Sequence, residues 1–257
     1  MKETAQKYYE LFKGSGRAHG TFEINDSNEI KQKGVGKTIR SGGAELKHWV
    51  SHLEGNYGIG VIPINEENKV CWGCIDVDVY PLEFKHLVGI VENLKFPLVV
   101  CRSKSGGAHI FLFTKEFVPA GEMQDVLRDL SAALGYGGVE IFPKQREILV
   151  DRSDVGSWLN MPYFGGEGST RYGYNKDGEN LSLDAFLSFA EKRKITREQL
   201  NNIKIPSADE LTDGPPCLKV LLKQGFPEGT RNNGLFNIGV YLKKAHPDEW
   251  EKKIEDY

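Results

Sequence analysis

The stretch CWGCIDVDVY (71–80) places Asp76 and Asp78 two positions apart inside an apolar, β-branched run. Aspartate is a poor strand residue and costly to bury, so two of them there need a positive partner. Side chains alternate across a strand, which puts both carboxylates on one face and Ile75 and Val77 on the other. Further on, CRSKSGGAHIFLF (101–113) sets Arg102, Lys104, Ser105, Gly106 and Gly107 ahead of His109. Glycines let backbone approach a ligand and aim its N–H groups, while Lys, Arg and Ser add charge and a hydroxyl. Such a loop suits a triphosphate, with His109 donating to a phosphate oxygen. It is not a P-loop, because GxxxxGK[ST] is absent. A third acid, Glu140, stands in GVEIF (138–142). Three acids at one locus repel unless a cation joins them, and all-oxygen ligation suits Mg²⁺ or Mn²⁺ rather than zinc. Carboxylates two apart on a strand can bridge two ions roughly 3.5–4 Å apart, the arrangement used for phosphoryl transfer by two metals. Taken singly, a DxD also fits a surface acid in salt bridges or at a turn, and the loop also fits a plain glycine hairpin.

The elements that must bring these groups together are legible in the periodicity. Helical stripes are Ala5, Tyr8, Tyr9 and Phe12; Leu46, Trp49, Val50 and Leu53; and Phe84, Leu87, Val88, Val91 and Leu94. Two more are Met123, Val126, Leu127, Leu130 and Leu134, and then Leu183, Phe186, Leu187 and Ala190 behind Ser182 as an N-cap. Strand-like runs are YGIGVIPI (57–64), VCWGCIDVDV (70–79), PLVVC (97–101), HIFLF (109–113), GVEIF (138–142) and EILV (147–150). From residue 70 to 142 the order is βαββαβ, the RRM or ferredoxin-like arrangement of an α+β fold. In its usual strand order the first strand lies between the third and fourth, antiparallel to both. Asp76 and Asp78 come late in the first strand, His109 opens the third and Glu140 begins the fourth. All four are therefore expected at one end of the sheet, on the face that helices leave open.

Composition sets the outer bounds. The 257 residues carry 33 Lys and Arg against 36 Asp and Glu, a net charge of -3. A nucleic-acid role must then rest on a local basic surface rather than on overall charge. No run approaches the ~20 apolar residues of a membrane span, and MKETAQKYYELF lacks a signal-peptide core. The expected location is the cytoplasm, of a bacterial or phage-infected cell, with no membrane partner. Cys71 and Cys74 have the spacing of a zinc half-site, but no second pair completes it, so buried thiols are the preferred reading.

CIDVDVY, SKSGGAHIFLF and GVEIFPKQ, in that order, resemble the archaeo-eukaryotic primase superfamily, in particular the compact primase–polymerases of phages, plasmids and mobile elements. The resemblance aligns an acidic strand pair with Asp76 and Asp78, a small-x-His motif with Gly107-Ala108-His109, and a third carboxylate with Glu140. It implies that Asp76, Asp78 and Glu140 hold two divalent ions and that His109 meets the nucleotide's phosphates. The third family carboxylate is often Asp, so Asp151 and Asp154 in VDRSD (150–154) rival Glu140. Lys144 and Gln145 could reach the nucleotide or the template, or occupy a solvated turn after Pro143. An N-terminal αβ module packs across the open sheet in such enzymes. Arg17, His19, Lys37 and Arg40, among the glycines of GRAHGTF (16–22) and GKTIRSGG (36–43), are there candidates to touch template or primer phosphates, the alternative being plain loop charges. In DVGSWLNMPYF (154–164), Trp158, Tyr163 and Phe164 read as core rather than as base-stacking platforms.

The same resemblance divides the chain into a catalytic core (1–204) of an N-terminal αβ module (1–66) and an RRM-like module (67–204), a linker (205–217) and a helical primase C-terminal domain (218–257). GTRNNGLF (229–236) carries the last match, with Arg231 and Asn232 toward template or first nucleotide, and Thr230 or Asn232 capping a helix on Leu235, Ile238 and Leu242. The ending EWEKKIEDY has no helix stop, so a longer protein with a helicase domain or partner is expected. The function implied is a DNA primase–polymerase in replication, joining NTPs or dNTPs on a single-stranded DNA template. The alternatives are a non-catalytic replication-initiation or template-binding module, and a DxD nucleotide-sugar transferase. A metal-dependent nuclease fits less well, since Glu140 and Lys144 lack E-x-K spacing.

Overall fold

Helix α1 (Lys2–Leu11) forms on Ala5, Tyr8 and Leu11, all buried, with Phe12 buried at its end. Helix α2 (Leu46–Leu53) starts in a capping box, in which the Glu45 N–H donates to His48 Nδ1 at 3.0 Å. Both pack on a four-stranded antiparallel sheet in the order β2-β1-β3-β8. Its strands are β1 (His19–Phe22), β2 (Gly36–Ile39), β3 (Gly58–Val61) and β8 (Leu159–Asn160). The computed structural model describes residues 1–22, 36–205, 215, 217–218, 220–221, 231–245 and 250–254. The chain divides into two compact units, Met1–Leu127 with Val139–Ile203, and Arg128–Gly138 with Lys204–Tyr257.

The second sheet of the first unit runs β4 (Lys69–Val77), α3 (Phe84–Asn93), β5 (Leu98–Arg102), β6 (Ala108–Pro119), α4 (Ala120–Ala133) and β7 (Glu140–Phe142). Its spatial order is β5-β6-β4-β7, with β4 antiparallel to both β6 and β7. This is the expected βαββαβ arrangement. Trp72 and Cys74 of β4, Phe111 and Phe113 of β6, and Phe142 of β7 fill one core with α1, α2, Ile59 and Val61. Phe12 lies 5.3–5.7 Å, centroid to centroid, from Trp49, Trp72, Phe111 and Phe113, so one ring joins the first helix to the second sheet. Removing such a side chain typically costs about 3–5 kcal/mol. Helix α5 (Leu183–Lys192) closes this core, its N-cap Ser182 accepting from the Ala185 N–H as expected.

Several elements differ from the sequence expectation. EILV forms no strand: cis Pro143 ends β7, the Ile148 N–H is taken by Asn68 Oδ1, and a 3-10 turn (Val150–Arg152) follows. Pro63 cuts the YGIGVIPI strand to Gly58–Val61. Strands β1, β2 and β8, and the short helix α6 (Arg197–Asn201) capped by Thr196, were not foreseen. Cys71 and Cys74 are both free thiols; burial pushes the Cys71 thiol to about 11 and the Cys74 thiol well up.

In the second unit, α7 (Arg231–Ala245) buries Ile238 and Leu242 with Leu218, and half-buried Trp250 and Ile254 of α8 (Trp250–Ile254) pack on them. Asn232 lies inside the first turn of α7; Thr230, linker residues 206–214 and 216, and residues 255–257 lie outside the described residues. Among the described residues no helix is long and apolar enough to cross a membrane.

Candidate active site

Strand register builds the site. Asp76 pairs with His109 on β6 and with Glu140 on β7, so the three form one row on one face. Cys101 of β5 extends the row beyond His109. Asp78 follows one residue after β4 ends at Val77, where it is exposed. Neither rival acid joins this row: Asp151 is exposed in the 3-10 turn, and Asp154 Oδ1 accepts from the Gly156 N–H at 3.1 Å.

The electrostatics of the row are unfavourable as it stands. Asp76 Oδ1 is buried without a hydrogen-bond partner among the described residues, His109 Nε2 lying 3.5 Å away. Burial, then the charges of Asp78 and Glu140, push the Asp76 carboxyl up to about 7, with Lys144 acting against them. The other two acids are turned to local donors. Tyr80 donates to Asp78 Oδ1 at 2.8 Å, and Lys144 Nζ pairs with Glu140 at 2.8 Å. Among the described residues no three His, Cys, Asp or Glu side chains gather closely enough to hold an ion as they stand. Mutual repulsion explains that splay. The donor set nonetheless suits a hard divalent cation: all are carboxylates, and the inner one presents an unsatisfied acceptor. Turning the exposed pair inward costs a surface hydrogen bond and a surface ion pair, each about 1 kcal/mol or less.

The loop between β5 and β6 sits against this row. The Ser103 N–H donates to Gly107 O at 2.8 Å and the Gly106 N–H to Ser103 O at 3.2 Å, with Gly106 at φ +97. A Cβ on Gly107 would stand 2.2 Å from Val77 O, so only glycine lets the loop close on the end of β4. Tyr80 Oη also lies 2.6 Å from Ser105 Oγ, which is 3.2 Å from Ser103 Oγ. One phenol thus ties an acid of the row to the basic loop. Arg102 Nη1 donates to Thr170 O, and Lys104 Nζ lies 5.1 Å over the Phe22 ring.

Arg171 is the residue that sequence reading missed. It is 6% exposed, its Nη1 has no hydrogen-bond partner among the described residues, and its guanidinium lies over Phe22 and Phe164 at 4.8 and 5.4 Å. Burial pulls it down to about 10, so it stays charged at neutral pH. Burial, then the Arg171 charge, depresses His109 to about 4, leaving a neutral imidazole with one N–H to donate. Among the described residues, the site therefore holds a buried acceptor atom without a donor, Asp76 Oδ1, and a buried donor atom without an acceptor, Arg171 Nη1. Native proteins seldom leave such groups unmatched. Nothing in RYGYN (171–175) marks this arginine, because its burial depends on Phe22, far away in sequence.

The remaining predicted residues are dispersed. Arg17 Nη1 donates to Asp154 O at 3.0 Å and Arg40 Nη1 to Ser153 O at 2.7 Å, so both flank one loop. His19 corrects the expectation of an exposed contact: it is 3% exposed, and its ring nitrogens meet Gly42 O and Tyr57 Oη. Lys37 pairs with Thr21 and alternates onto the face of β2 opposite Thr38. Gln145 clamps Ser157, accepting from its N–H at 3.0 Å and donating to its Oγ at 2.9 Å. Arg231 and Asn232 open α7 in the second unit.

A family model described as "TOTE conflict system, Archaeo-Eukaryotic Primase domain" matches residues 33–203. Among solved structures, the chain is similar to the AEP domain of the primase–polymerase of cyanophage S-2L. Identity is 14% and the TM-score 0.40, over 74% of this chain and 98% of that one. No curated protein matches it.

Proposed function

The chain belongs to the archaeo-eukaryotic primase domain family of TOTE conflict systems, and on that premise we propose that it performs template-directed nucleotidyl transfer. A primer 3′-hydroxyl, or that of a first nucleotide, attacks the α-phosphate of an incoming nucleoside triphosphate, and pyrophosphate leaves. The observation that carries this reading is the pair of unmatched buried groups, the acceptor Asp76 Oδ1 and the donor Arg171 Nη1. A cation at the first and a polyphosphate at the second satisfy both, and a metal-bound nucleotide supplies the two together. Mg²⁺ or Mn²⁺ held by Asp76, Asp78 and Glu140 would activate the hydroxyl and offset charge developing on phosphate. Neutral His109 donates its N–H to a phosphate oxygen. Arg171, Lys104 and Arg102 supply positive charge, Ser105 a hydroxyl, and Gly106 and Gly107 the close backbone approach. Lys144 is the counter-ion that Glu140 gives up when it turns inward, which frees Lys144 for the nucleotide.

Within this proposal α7 and α8 form part of a primase C-terminal domain, with Arg231 and Asn232 serving the template. Single-stranded DNA is the proposed template. Primer synthesis in replication and a helicase partner remain expectations of the sequence resemblance. The splayed carboxylates favour one rival, a module that binds template without chemistry.

Purified chain, single-stranded template, NTPs or dNTPs and Mn²⁺ or Mg²⁺ decide between the two. Labelled product is expected from the wild type, and a loss of at least ~10³-fold from Asp76→Ala/Asp78→Ala. Full-strength synthesis by that variant discards the mechanism. Metal-independent binding with no incorporation under any condition establishes the rival.

A further inference from the structure

Trp158 is half-buried, unlike Trp49 and Trp72, which are 1% and 0% exposed. Its indole lies flat across three adjacent strands of the first sheet. A Cβ on Gly36 of β2, Gly20 of β1 or Gly60 of β3 would fall 2.8, 2.1 or 2.3 Å from atoms of that ring. Glycine in a strand interior is destabilising, so three of them beneath one ring are a local cost that the ring's placement must justify. The ring is held in register as well. Its Nε1–H donates to Thr38 Oγ1 at 3.2 Å, and Gln145 clamps the preceding Ser157. Among the described residues no other aromatic ring stacks on it.

Position gives the platform a use. Gly20 and Phe22 alternate onto the same face of β1, and Phe22 covers Gly58 as Trp158 covers Gly60. Those two glycines are two residues apart on β3, roughly 7 Å along the strand. Lys104 and Arg171 gather over Phe22, so the indole stands one step from the cations assigned to the triphosphate. On its other side, Arg17 and Arg40 each bond a backbone carbonyl of the 153–154 loop, and neither pairs with a carboxylate among the described residues. A fixed aromatic face between arginines is the combination that holds single-stranded nucleic acid through stacked bases and backbone phosphates.

We propose that Trp158 is a stacking platform for a template base next to the incoming nucleotide, with Arg17 and Arg40 contacting the phosphates beside it. This rests on the nucleic-acid reading above and names the side chains that hold the strand.

The test titrates the full chain with a single-stranded oligonucleotide in EDTA, so that no synthesis occurs, and reads tryptophan emission and affinity. The wild type is expected to show quenching. Trp158→Leu should lose the quench and bind roughly 5- to 150-fold more weakly, the range of one stacked base, with an unchanged dependence of affinity on salt. Arg17→Gln/Arg40→Gln should keep the quench and flatten the salt dependence. Trp158→Tyr, which keeps a stacking ring, should bind within a few-fold of wild type without the quench, and it stands in if the leucine variant does not fold. Quenching that survives in Trp158→Tyr, or wild-type affinity in a folded Trp158→Leu, overturns the proposal. Binding and quench without incorporation would instead sink the catalytic reading and leave the platform standing.

Discussion

Replacing Asp76 by asparagine keeps the shape of the side chain and removes the charge that burial, Asp78 and Glu140 all oppose. The wild-type carboxyl is pushed from the ordinary 3.8 to about 7. At about 1.4 kcal/mol per pKa unit, ionising it in the folded chain costs at most ~4 kcal/mol. The side chain is 15% exposed, and water reaching it brings a working figure of ~2 kcal/mol. The sign follows from a folded pKa raised above the unfolded one. The acid is neutral in both states below about pH 4, the cost grows as pH rises toward 7, and it is complete above that. Asp76→Asn, purified in EDTA, should therefore melt with the wild type near pH 4 and about 4–8 °C above it at pH 8. Mn²⁺ at 100 times its dissociation constant should raise wild-type stability by about 2.7 kcal/mol and the variant far less. Thermal unfolding followed by circular dichroism measures both effects. A variant that melts at or below wild type at pH 8, or that gains as much from Mn²⁺, refutes the account of a strained acidic row awaiting a cation.

Two further perturbations act at other points of the fold. Gly107→Ala puts a methyl 2.2 Å from Val77 O, where ordinary contact needs more than 3 Å, so the loop must move about 1 Å from the end of β4. Misplacement on that scale typically costs ~10²-fold in rate, so incorporation should fall by that factor while the melting temperature drops by only a few degrees. His52 is buried, its Nε2–H donating to Pro162 O at 2.9 Å and its Nδ1 accepting from the Ile59 N–H at 3.1 Å. Burial depresses it from 6.5 to about 4, the Pro162 bond opposing, so the unfolded chain takes up the proton first as pH falls. Stability should decline from about pH 6.5 toward 4, by ~2 kcal/mol at pH 5, and urea midpoints at pH 7.5 and 5 should differ less in His52→Gln.

The βαββαβ order was legible because each of its elements carries a clear period, and from it the convergence of Asp76, His109 and Glu140 followed without coordinates. The family read from CIDVDVY, SKSGGAHIFLF and GVEIFPKQ is also the one that the match over residues 33–203 shows. The first sheet was harder. HGTF and GKTI are short, and the glycines that seat Trp158 erase their alternation. EILV had the pattern of a strand but no partner to pair with. His19 looked like a loop charge among glycines, whereas its ring is spent on Gly42 and Tyr57. Arg171 and Tyr80 owe their interest to neighbours far along the chain, Phe22 and Ser105, and no local window contains such pairs.

The two-residue strand β8 arrives from beyond the whole second sheet to pair with β3. In chain order the leading sheet is therefore completed only beyond the last strand of the following one, and the polypeptide passes through both layers like a lace through paired eyelets. A fragment cut near residue 66 would expose the β3 margin to other chains. Shortened versions that keep the stretch through Lys192, and with it both β8 and α5, should stay monodisperse, whereas those ending before Leu159 should self-associate.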